Sequence, residues 1–194
     1  MEKKITKKNI IFILIALVGI ISYFYYNFSS RTEPTNSIDV NVVYTSKDPK
    51  EALKDTSFSG TFTDEEKSKI VEMTDTLAKL TINNDYKTDN IDTLKTFVNY
   101  MDDNLKINFS DDILQKQIDN LVSNEHVSKL QDINYTKITR DEDKSLIAVN
   151  FIATVRVVND KNSKESGKTF SKVECGFAFD KEWKVSQFSI GQYK

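Results

Sequence analysis

The 194-residue chain is poor in every residue type that staples, breaks or chelates: one cysteine, two prolines, five glycines, one histidine. A single cysteine excludes an intrachain disulfide, so any folded part must be held by its core alone. One histidine and one cysteine cannot supply the common zinc ligand sets, and no metal is expected. The glycines form no phosphate-cradling loop, there is no serine elbow and no Cys–His pairing, so no cofactor and no catalytic residue is assigned. A concentrated basic face is missing as well. The formal charge is −2, and four of the lysines stand against one glutamate in the first ten residues, which leaves about −5 for everything after them. Direct nucleic-acid binding by that remainder is not expected, because it needs clustered cations.

Against this polar background, residues Ile10 to Phe28 form nineteen positions without a charged side chain, preceded by Lys3, Lys4, Lys7 and Lys8. At ~1.5 Å per residue a helix of that length spans roughly 28 Å, close to the hydrocarbon thickness of a bilayer. The lysines place Met1 in the cytoplasm by the positive-inside rule, and Tyr23, Phe24, Tyr25, Tyr26 and Phe28 suit the outer interface. A cleaved secretory signal shares the basic start, but the apolar run is longer than a signal core and ends in aromatics rather than small residues. The chain thus divides into a cytoplasmic tail (1–9), a transmembrane helix (10–28), a polar stalk holding Pro34 and Pro49 (29–61) and one exported domain (62–194). The expected location is the cell membrane, single-pass, with the C-terminal domain outside. The weight of Lys, Asn, Asp and Ile over Gly and Pro is the bias of AT-rich bacteria and points to a Gram-positive surface.

Within the stalk, Ile38, Val40, Val42 and Tyr44 alternate with less apolar neighbours, so this stretch is plain linker, a short added strand or a partner-binding segment. Thr63 followed by Glu66 is a capping box and starts a helix whose apolar stripe is Ile70, Met73, Leu77 and Leu80. A second helix enters through Asp89 or Asn90 and carries Ile91, Leu94, Phe97, Val98, Met101 and Leu105. A third follows Ser110, with Ile113, Leu114, Ile118, Leu121 and Val122 as its buried stripe, and fades near His126. The period then changes to two. Ile133–Thr139 and a long strand around Ile147–Val157 should pair as a hairpin; Thr169–Phe179 follows a polar loop; Trp183 and Val185 begin the last strand. Phe188 and Ile190 fall on the opposite parity from Val185, which predicts a bulge near Ser186 or Gln187.

Three helices packed on a curved four-stranded antiparallel sheet is an α+β arrangement. Its order, and the closing segment Phe177-Ala-Phe-Asp-Lys-Glu-Trp-Lys-Val-Ser-Gln-Phe, resemble the cone-shaped nuclear transport factor 2-like fold over about 62–193. The enzymes of that superfamily place an Asp, Tyr or His in the cone, and no such set maps onto this sequence. His126 reads as a solvated or capping residue, and Cys175, sharing a strand face with Val173, Phe177 and Phe179, as a small buried hydrophobe. The acidic groups at Asp102–Asp103, Asp111–Asp112 and Asp141–Asp143 read as helix ends and turns. Asn150, Thr154 and Arg156 share one face of an otherwise apolar strand, and line either a pocket, a dimer surface or the solvent side of the sheet.

The whole layout, with tail, anchor, stalk and exported domain, is similar to the VirB component 8 family of type IV secretion and conjugation systems. The resemblance implies a non-enzymatic scaffold that contacts other membrane-complex subunits and self-associates as a homo-oligomer. An anchored small-ligand-binding or sensing domain is the competing expectation. An interior filled by Phe97, Met101, Phe151 and Phe177 would separate the two.

Overall fold

Thr63 accepts from the Glu66 amide at 3.1 Å while the Glu66 carboxylate accepts from the Thr63 amide at 2.9 Å, and this reciprocal cap starts the helix on which the body is built. The structure, a computed structural model, describes residues 44–143, 145–159, 161 and 169–192. The expected tail, the 10–28 run, most of the 38–44 alternation and most of the 159–167 loop lie outside those residues.

The elements are α1 (Pro49–Ala52), β1 (Ser57–Ser59), α2 (Asp64–Ile82), β2 (Asn84–Asp85), α3 (Ile91–Val98), α4 (Asp103–Lys106), α5 (Asp111–Asn124), β3 (Val127–Asp141), β4 (Leu146–Asn159), β5 (Thr169–Phe179) and β6 (Val185–Gln192). The sheet runs β1-β3-β4-β5-β6, with β2 also paired to β3. The fold-class expectation is corrected in two respects. The sheet has six strands and is mixed, because β1 lies parallel to β3 with Ser57 opposite Lys137. And no helix among the described residues is long and apolar enough to cross a membrane, so a transmembrane helix forms no part of the described fold. The two extra strands escape sequence reading for a plain reason: at three and two residues they are too short to show a period, and pairing with β3, joined by the Phe58–Phe62 ring contact and the Asn84–Ser128 side-chain bond, places them.

Residues 44–61, expected as the end of a stalk, pack onto the domain. Tyr44, Leu53 and Phe62 are buried, Asp48 caps α1, and Lys47 reaches Asp132 on β3 at 2.8 Å. The expected second helix is broken. It stops at Val98 because the next turn is drawn into strand-like bonding: the Asp102 amide donates to the Val185 carbonyl at 2.9 Å and the Val185 amide to the Tyr100 carbonyl at 2.8 Å. Asp102 then caps α4 through the Leu105 amide at 2.7 Å.

β3 is longer than the predicted Ile133–Thr139. Register shifts between Leu130 and Asp132 and between Tyr135 and Lys137 insert single residues, so the inward positions Leu130, Ile133, Tyr135 and Ile138 lose a strict period of two. In β6 the parity break does mark a bulge, with Val185 opposite Phe179 and Gln187 opposite Ala178. The core lies between α2, α3 and α5 and the face of the sheet formed by Val149, Phe151, Ala153, Val155, Val173, Cys175, Phe177 and Phe179. Val122, expected in the stripe of α5, is instead 49% exposed, and Asn124 takes a buried place at that helix's end.

Candidate functional site

The space between helices and sheet is filled by rings. Phe97, Met101, Phe151 and Phe177 are all buried. Along the inner face Tyr135, Phe151, Phe177, Phe179 and Trp183 follow one another with centroid separations of 6.2, 5.6, 6.2 and 5.9 Å. Such spacing is ordinary tilted ring packing and leaves a close-packed interior.

One polar group sits inside that packing. Asp75 follows Val71 by one helical turn and precedes Ala78 and Ile82 on the same buried line of α2, and it is 2% exposed. The Tyr135 hydroxyl donates to its Oδ1 at 2.8 Å and lies 3.4 Å from the Val71 carbonyl oxygen. Tyr44 and Thr74, also buried, complete the cluster. Burial, and after it the charge of Asp75, pushes both the Tyr135 and the Tyr44 hydroxyls well above the usual phenol range. Both phenols therefore stay protonated and act as donors at neutral pH. Sequence reading missed this cluster, although an aspartate on an apolar helical line was a legible signal.

A cleft of about 250 Å³ opens elsewhere, at the turn end of the sheet, lined by Glu66, Arg140, Glu142, Ser145, Asp180 and Trp183 among others. Arg140 is tied down there. Its Nη2 donates to Glu66 at 2.7 Å, its Nε to the Thr61 carbonyl at 3.2 Å, and its guanidinium lies 4.7 Å from the Phe62 ring centre. The Thr63 amide first, and the Arg140 guanidinium second, hold the Glu66 carboxyl below its ordinary range. These groups satisfy one another and close the entry of α2 onto β3.

Asn150, Thr154 and Arg156 do share one face of β4, the face turned away from the helices. Asn150 stands opposite Lys137 and Gly176, Thr154 opposite Asp132 and Lys172, and Arg156 opposite Lys129 and Phe170. Arg156 is 8% exposed, so it is no simple solvated side chain. Gly176 leaves room for its neighbours: a Cβ there would meet Ser189 Oγ at 3.0 Å and Asn150 Oδ1 at 3.1 Å. Cys175 is buried on the inner face, and burial pushes its thiol up to about 12. His126 is buried at the α5–β3 junction, with its carbonyl accepting from the Tyr86 amide at 3.1 Å, so it is not a solvated residue. The acidic pairs sit where helix ends explain them: Asp102 caps α4, and Asp111 begins α5 and meets Lys95 at 2.9 Å. Among the described residues no three His, Cys, Asp or Glu side chains converge as a metal site.

No family model, no curated protein and no solved structure matches the chain.

Proposed function

We propose that the chain is a non-enzymatic assembly component of a membrane channel, of the kind used in conjugative DNA transfer by type IV secretion, tethered to the membrane by its 10–28 run. The observation that carries this reading is the filled interior. Phe97, Met101, Phe151 and Phe177 occupy the volume that a small-molecule site between helices and sheet would need, so the domain has its surfaces, rather than an interior pocket there, to offer partners. The docking of 44–61 onto α2 and β3 adds support, because a body joined firmly to its lead-in segment transmits position to a complex. The competing reading, an anchored ligand-binding or sensing domain, would have to place its ligand in the polar cleft beside Arg140 and Trp183.

A pull-down of the detergent-solubilised full-length chain separates these. Recovery of channel subunits, a transfer ATPase or further membrane components, is the expected result. Recovery of no such subunit together with a defined small molecule bound to the chain would overturn it.

A further inference from the structure

The sheet ends at β6, and most of that strand's outer edge meets nothing among the described residues. Only Val185 is engaged on that side, through Tyr100 and Asp102. The bulge at Ser186 inverts the ladder after Val185, so the outward-turned N–H and C=O groups belong to Phe188 and Ile190. Natural edges are guarded by charge, proline or a covering segment. Val185 to Gln192 contains no charged residue and no proline. The opposite edge offers far less strand: β1, only three residues long, and β2 cover the two ends of β3, Asn83 Oδ1 takes the Leu130 amide at 2.7 Å, and Thr56 donates to the Tyr135 carbonyl at 3.3 Å.

We infer that β6 is a self-pairing edge, joining a second copy of this chain antiparallel about a two-fold axis at Ser189. Tyr100–Asp102 blocks the Val185 end, which confines the pairing to about 187–191 and sets Phe188 opposite Ile190 of the second copy. Four backbone hydrogen bonds then form, and the two sheets become one. An uncharged strand suits a copy of itself, since the remainder of an acidic body would repel at any charged joint. Phe188 and Ile190 are only partly buried, and Ile107, 71% exposed, follows α4 beside β6, so apolar surface is available at the joint. A five-residue pairing is small for a stable interface, and confinement of both copies to one membrane would raise its occupancy. The surface stands independently of the transfer-channel reading.

The test uses the full-length chain in detergent micelles with Cys175 replaced by alanine. Ser189→Cys is oxidised beside Ser57→Cys, an exposed position on the three-residue strand at the opposite edge. Disulfide-linked dimer from Ser189→Cys alone supports the pairing; equal trapping at both positions, or none at Ser189, overturns it. Sedimentation of the unmodified chain is the second measurement. Ser189→Lys, which sets two ammonium groups at the axis of an exposed position, should weaken self-association about tenfold or more. A wild-type chain that is monomeric at every concentration, or a Ser189→Lys chain that associates as well as wild type, overturns the inference.

Discussion

Asp75 concentrates the residue-scale chemistry of this domain, because a carboxylate at 2% exposure depends on the donors that reach it. Tyr135→Phe removes the 2.8 Å bond to Oδ1 and should cost about 2 kcal/mol, read as a lowered urea midpoint at unchanged slope. The same phenols set an alkaline limit. Their folded-state values are raised, so their contribution is fully present below the unfolded value of about 10 and is lost as pH rises beyond it. Thermal melts should therefore fall above about pH 10, and Tyr135→Phe should fall less steeply there than wild type. Cys175 is a second reporter: with its thiol buried and raised to about 12, it should remain unlabelled by a thiol reagent at pH 8 until denaturant unfolds the chain. Rapid labelling of the native chain would show that the strand face is open.

At the scale of elements, the ends of α2 and the hairpin turns decide local stability. Glu66 has a lowered folded-state pKa, so its contribution is present above the unfolded value of 4.5 and is lost as pH falls below it. Glu66→Gln should flatten the acid limb of the melting curve below about pH 4.5, and an unchanged acid limb would remove the Thr63–Glu66–Arg140 junction from the account. The β3–β4 and β5–β6 turns each pass through a left-handed residue, Ser145 at φ +52° and Trp183 at φ +62°, positions that favour glycine. Ser145→Gly should stabilise by about 0.5 kcal/mol, the relief of the left-handed conformation outweighing glycine's extra chain entropy. The helices were legible because caps and stripes are local: Thr63 with Glu66 and Asn90 mark true starts. The long strands β4 and β5 were legible from alternation. What escaped depends on contacts distant in sequence, namely the break after Val98 that Val185 imposes, the inserted residues of β3, and the pairing of β1 and β2 with β3. For the candidate site the same division holds. The shared face of Asn150, Thr154 and Arg156 could be read from parity, whereas the burial of Arg156 and the meeting of Asp75 with Tyr135, sixty residues apart, could not.

For the whole molecule, the domain begins earlier than composition suggests. A chain starting at residue 62 loses Tyr44 and Leu53 from the core and β1 from the sheet, and should be less stable than one starting at 44 by about 3–5 kcal/mol in urea unfolding. Equal stability would show that residues 44–61 add nothing. Their docking also bears on the proposed membrane tether. A fully extended 29–61 would span at most roughly 115 Å; with Tyr44 seated against α2 and Lys47 on β3, no more than the fifteen residues 29–43, roughly 50 Å at full extension, separate the docked body from the proposed anchor. If the body is anchored through 10–28, as we propose, that length is a short leash, and whatever it meets must come within that height of the lipid.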